Sequence, residues 1–142
     1  MNKEFVTYEQ ALALKELGFD EPCLGWYNPQ MDYKEITIDK YWAYYLSGEW
    51  EKFVSAPLKS QVFRWFRDKH GLHHHIIPEF YQDGINFNWQ ILWYLPKEKW
   101  TKYVVSNGTG LFGDNGEYPT QEEAEDACID KLIEIVKNKN DE

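Results

Sequence analysis

From Ile85 to Leu95 the chain reads I-N-F-N-W-Q-I-L-W-Y-L, with Ile85, Phe87, Trp89, Ile91, Trp93 and Leu95 on one parity. Side chains of a strand alternate between faces, so this spacing predicts a strand with one apolar face and with Asn86, Asn88 and Gln90 on the other. Just upstream, Asp83-Gly84 is a tight-hairpin dipeptide, since glycine takes a positive backbone angle without steric cost. With these two residues as the loop, Ile85 opposes Gln82, Phe87 opposes Phe80, Ile91 opposes Ile76 and Trp93 opposes His74. Pro78 then falls opposite Trp89. A proline cannot donate to a ladder, so its strand belongs at a sheet edge or carries a bulge. A third strand, over about 100–106, follows the turn Pro96-Lys97-Glu98-Lys99 and completes a meander.

Helical spacing flanks these strands. Thr7 with Gln10 forms a capping box and Gly18-Phe19 a left-handed stop, which predicts a helix over 8–17 with Ala11, Leu14 and Leu17 as its stripe. A second helix starts near Ser55-Ala56-Pro57 and ends at His70-Gly71, with Leu58, Val62, Trp65 and Phe66 on one face. Thr120 with Glu123 caps a third, whose stripe is Ala124, Ala127, Cys128, Leu132, Ile135 and Val136. Its early Glu122 and Glu125 and late Lys137 and Lys139 suit the helix dipole. Residues 107–117 hold glycines at 108, 110, 113 and 116 and predict a mobile loop. Tyr33 to Ile38 reads as a further strand, and Tyr41 to Leu46 as its hairpin partner or a short helix.

These elements predict one α+β domain over 1–142. A helix and an aromatic-rich hairpin occupy 1–54, a helix-strand-strand-strand-helix core occupies 55–137, and the tail 138–142 frays. The sheet is an antiparallel meander of three to five strands, with helices packed on the face bearing Ile85, Phe87, Trp89, Ile91 and Trp93.

The order helix, meander, helix over about 56–137 resembles the topology of double-stranded RNA-binding domains. Those domains carry lysines at the start of the second helix to straddle phosphates. Here Thr120-Gln121-Glu122-Glu123-Ala124-Glu125-Asp126 stands at that place, so the resemblance extends to topology and not to RNA binding. Three further stretches run from Tyr8-Glu9-Gln10-Ala11 through Gly18-Phe19-Asp20-Glu21-Pro22-Cys23, from Ala56-Pro57-Leu58 through Phe63-Arg64-Trp65-Phe66-Arg67-Asp68-Lys69-His70, and from Tyr118-Pro119-Thr120 to Asp130-Lys131-Leu132-Ile133. In these the chain is similar to a family of short proteins from Bacteroidetes and their phages. Mostly capping and core positions carry that similarity, which implies a phage-associated origin rather than a chemistry.

The formal charge is −9, and the last helix and tail are richer still in acids, so a phosphate backbone is repelled and no nucleic-acid partner is expected. No apolar run approaches bilayer length and no basic start precedes one, which predicts a cytoplasmic protein without a membrane partner. Cys23 and Cys128 have neither metal nor redox spacing and read as buried thiols.

Aromatics make up 18% of the chain, more than a small interior needs, so some rings are expected at the surface. Trp26, Tyr27, Trp42, Tyr44, Tyr45 and Trp50 concentrate in the N-terminal half and suit stacking a base or gripping a peptide. Arg64 and Arg67, with Lys59, form a basic strip on the exposed side of the second helix, suited to an acidic partner or a phosphate. His73 and His75 share a strand face with Glu79 and Tyr94. Zinc accepts imidazole and carboxylate, but Glu79 lies four strand positions beyond His75, roughly 13 Å, so no metal is predicted. Gly108-Thr109-Gly110-Leu111-Phe112-Gly113 has dinucleotide-loop spacing without the parallel strand and helix that such a loop joins, so no cofactor is predicted.

No nucleophile, base and orienting group assemble from these residues. The sequence therefore predicts a non-enzymatic binding module for a host or phage protein. Its alternative is a small-molecule, nucleotide-like binding or sequestering protein. The candidate binding residues are Trp26, Tyr27, Trp42, Tyr44, Trp50, Arg64, Arg67, His73, His75 and Tyr94.

Overall fold

The computed structural model describes residues 2–30, 35–38, 53–94, 102–106 and 118–141. Its elements are α1 (Tyr8–Glu16), β1 (Gly25–Tyr27), β2 (Thr37–Ile38), β3 (Val54–Ala56), α2 (Lys59–His70), β4 (His73–Tyr81), β5 (Gly84–Tyr94), β6 (Lys102–Ser106) and α3 (Gln121–Asn140). The fold is α+β, with two antiparallel three-stranded sheets ordered β2-β1-β3 and β4-β5-β6. The helix-meander-helix order is present as the spacing predicts. The expected turn at 96–99, the loop 107–117 and the segment 41–46 lie outside the described residues.

The N-terminal strands do not enlarge the meander. Thr37–Ile38 pairs with Gly25 and Trp26, and β1 pairs on its other side with Val54–Ala56, so a separate small sheet forms. Gly25 permits this close approach: a Cβ there would stand 2.9 Å from Ile36 Cγ2 and 3.3 Å from the Ala56 carbonyl oxygen. Because residues 54–56 are held in that pairing, α2 begins at Lys59 rather than near Pro57. Leu58 is its N-cap and makes no side-chain capping bond.

The helix ends follow their local chemistry. Thr7 Oγ1 accepts the Gln10 N–H at 3.2 Å while Gln10 Oε1 accepts the Thr7 N–H at 3.0 Å, the reciprocal capping box. At the other end of α1, Gly18 has φ +94° and the Phe19 N–H reaches the Leu14 carbonyl at 2.9 Å, closing a Schellman turn. Thr120 Oγ1 accepts the Glu123 N–H at 3.2 Å to start α3.

The hairpin register differs by one turn position from the sequence expectation. Tyr81 pairs with Gly84 across a Gln82-Asp83 loop, so Ile76 opposes Trp89, Phe80 opposes Ile85 and Pro78 opposes Phe87. Hydrogen bonding selects this register. Phe87 donates to the Tyr118 carbonyl at 2.8 Å and accepts the Tyr118 N–H at 2.9 Å, so its main-chain groups face away from β4. Pro78 thus occupies a non-hydrogen-bonded pair, with its nitrogen on the edge of β4 that is unpaired among the described residues. In the register expected from Asp83-Gly84, Pro78 would fall in a hydrogen-bonded pair and remove a ladder bond. The two registers share parity, so each side chain keeps the face the pattern assigns it.

Trp89 and Ile91 are buried on the helix-facing side of β5, where α3 crosses the meander, and α2 packs beside α3 against β4. On its other flank α3 meets α1, which also packs on β3, so one core cluster links both sheets. This double contact explains Ile129, which the single-stripe reading of α3 leaves out and which is fully buried. A helix packed on two sides buries a wider arc than one seam. Replacing Trp89 with Ala should destabilise the chain by about 3–5 kcal/mol through lost transfer energy and a residual cavity. A folded variant with an unchanged thermal midpoint would refute the assignment of this face.

Candidate functional site

The N-terminal ends of the three helices meet around one buried lysine. Lys59, the first residue of α2, points at α3, where Nζ lies 3.1 Å from Asp126 Oδ1 and 3.3 Å from the Glu122 carbonyl oxygen. Its side chain is 4% exposed against 37% for Asp126. This corrects the placement of Lys59 on an exposed basic strip: three, four and seven residues before Val62, Phe63 and Phe66, it lies on their buried face, which packs toward α3. Gln10 of α1 is buried alongside, and its Nε2 donates to the Asp126 carbonyl and to Asp130 Oδ1, each at 3.0 Å.

Next to this junction opens a groove of about 490 Å³, lined among others by Lys3, Tyr8, Glu9, Tyr27, Lys59, Glu122, Glu123 and Asp126. The rings of Tyr8 and Tyr27 meet edge-to-face with centroids 5.6 Å apart. The Tyr27 hydroxyl donates to the Val6 carbonyl at 2.6 Å. Burial, reinforced by Glu9 and Asp126, pushes that phenol up to about 12. Burial also raises the carboxyls of Glu125, against the pull of Lys59, and of Asp130, against its bond from Gln10. The starts of α1 and α3 face this groove, a setting that favours anions, but Glu9, Glu122 and Glu123 already supply the negative charge. Lys59, the buried cation of the wall, is held by Asp126.

The candidate residues chosen from sequence occupy separate elements. Trp26 is half-buried on the small sheet, edge-on to Phe53 with centroids 5.0 Å apart. Tyr27 belongs to the core rather than to a surface ring cluster, because its hydroxyl ties β1 to the N-terminal segment. Trp42, Tyr44, Tyr45 and Trp50 lie outside the described residues. Arg64 approaches Glu21 at 3.5 Å and Arg67 approaches Asp68 at 3.2 Å, so both exposed guanidinium groups stand beside carboxylates of this chain. Arg64 also borders a groove of about 420 Å³ with Pro22, Cys23, Leu24 and Gln61. Tyr94 ends β5, paired with Lys102.

His73 and His75 are exposed on the face of β4 away from the helices, while His74 stacks on Phe63 with centroids 3.6 Å apart and planes 7° apart. Burial, with Arg67 and the two neighbouring histidines, lowers His74 to about 4. Among the described residues no group of three metal-ligating side chains converges.

The sequence reading missed the far end of the hairpin. Burial on the helix-facing side fades toward the turn: Ile91 and Trp89 are buried, Phe87 is half-buried, and Ile85 and Phe80 are 47% and 75% exposed. Parity identifies a face but not how far the helices reach along it. The signal available in the sequence was Pro78 and the acidic turn, which interrupt the apolar pattern there.

Removing Asp126 strands a buried ammonium, whereas removing Lys59 leaves a carboxylate that is 37% exposed overall, with Oδ1 turned inward. Asp126→Ala should therefore cost about 3 kcal/mol in urea unfolding and Lys59→Met clearly less; equal losses would contradict this account of the pair. The lowered His74 sets a pH dependence with a definite sign. Its contribution to stability is complete above pH 6.5 and lost as pH falls toward about 4, because the unfolded chain takes up the proton first. Glu125 and Asp130, raised by burial, act in the opposite sense, so the comparison is with His74→Phe. The stability difference between the two proteins should change across that window, and parallel pH profiles would exclude the effect.

Comparison with protein-family models, with curated proteins and with solved structures returns no match.

Proposed function

We propose that the chain is a non-enzymatic binding module that engages a protein partner, of phage or host origin, through the free end of the β4–β5 hairpin. One observation carries this reading: Phe80, with Ile85 opposite it, presents large apolar side chains beyond the reach of the helices. Apolar side chains clustered at a projecting tip suit a protein interface better than a monomer surface. The thiols of Cys23 and Cys128, both buried and pushed up to about 12, are poor nucleophiles near neutral pH, which favours a binding role over thiol chemistry.

The groove beside Lys59 supports a second reading, sequestration of a small molecule. Its volume of about 490 Å³ accommodates one, but its carboxylates disfavour a nucleotide phosphate. Tagged full-length protein recovered from its source cells distinguishes the two. The binding reading expects a second protein retained in a fixed ratio and no bound small molecule in mass spectrometry of the denatured sample. A stoichiometric nucleotide or other metabolite, with no protein retained, would overturn it.

A further inference from the structure

Resting on that reading, we infer that the hairpin tip is a plug, inserted by its side chains into an apolar pocket with a basic rim on a different protein. The mode of contact follows from the edge of β4. Phe87 turns its main-chain groups toward Tyr118, so on the paired strand it is His74, Ile76, Pro78 and Phe80 whose main-chain groups face the edge of β4 that no strand pairs with among the described residues. Pro78 has no N–H to give, and it falls in the middle of that row. An added strand would find its ladder interrupted, as natural sheet edges use proline to prevent.

Side chains remain as the means of recognition. Phe80 and Ile85 are directly opposed, 75% and 47% exposed, and point to the same face. One aromatic and one aliphatic anchor at the end of a two-stranded arm form the kind of compact cluster that dominates binding energy when it fills a pocket. On the opposite face of the arm, the Tyr81 hydroxyl donates to Glu79 Oε2 at 2.7 Å and fixes that carboxylate on the reverse side from the anchors.

Charge selects the occupant. Between residues 71 and 94 the only acidic or basic side chains other than histidine are Glu79 and Asp83, both at the tip. Burying the anchors brings these two carboxylates to the rim of whatever receives them, where lysine or arginine is complementary and another acid is repelled. A second copy of this chain, itself at −9, brings like charge to the contact. The partner is therefore a different protein with cations around an apolar pocket.

The test uses the tagged full-length chain and proteins retained from a lysate of its source cells, each then purified and titrated. Phe80→Ser and Ile85→Ser should each weaken binding about tenfold or more, as loss of an interface anchor does. Because both side chains are exposed, the thermal midpoint should stay near that of the wild type. The double reversal Glu79→Lys with Asp83→Lys should weaken binding and remove most of its salt dependence. Binding indifferent to both serine variants would overturn the plug while leaving the protein-binding reading standing. Charge reversal that strengthens binding would overturn the basic rim. A wild-type dimer in sedimentation equilibrium that Phe80→Ser dissociates would make a second copy the occupant and sink the proposal. If no protein is retained at all, the plug and the reading beneath it fail together.

Discussion

Lys59 carries an ammonium group to a position almost closed to solvent, and a charge there is stable only with an opposite charge and hydrogen-bond acceptors around it. Asp126 and the Glu122 carbonyl provide both, so the start of α2 is fixed against the first turns of α3. Gln10 extends the junction to α1 by binding Asp126 and Asp130 from the other side. Three helix starts, far apart in sequence, are thereby held in one arrangement. The apolar core supplies the larger driving force, but apolar packing is not directional, whereas this junction accepts one placement of each helix.

The meander is organised by the central strand. On one side β5 carries the whole of β4, and on the other it carries β6 and then Tyr118, which takes up the edge where β6 has ended. Tyr118 precedes Pro119 and the capping residue Thr120, so the bond to Phe87 also sets where α3 begins. The same bond assigns Pro78 to the open edge, where its missing donor costs no ladder bond. One main-chain pair thus determines the hairpin register, the start of the last helix and the character of the exposed edge.

From these two constraints comes the surface that carries the functional proposal. With α2 and α3 anchored near their N-terminal ends, they cover Trp89 and Ile91 but not Phe80 and Ile85. The hairpin continues past the helices and carries the large apolar pair Phe80 and Ile85 there. An apolar arm with two carboxylates and a proline-marked edge is protected against adding strands, yet keeps anchors available for a shaped pocket.

Much of the fold was legible in the chain because it is encoded locally. The capping pair Thr7 and Gln10, the stop at Gly18, the left-handed Gly71, the Thr120 cap and the strand that buries Trp89 and Ile91 each act within a few residues, and each appears where the sequence predicts. Parity alone assigned the faces of both hairpin strands. The hairpin register could not be read locally, since Asp83-Gly84 favours one turn and the distant Tyr118 another. The burial of Lys59 and Ile129, the separation of the small sheet and the exposure of Phe80 were likewise decided by tertiary contacts between segments remote in sequence. Local propensity states which conformations and faces are available to a segment; only packing against distant segments determines which of its side chains are covered, and with what partners.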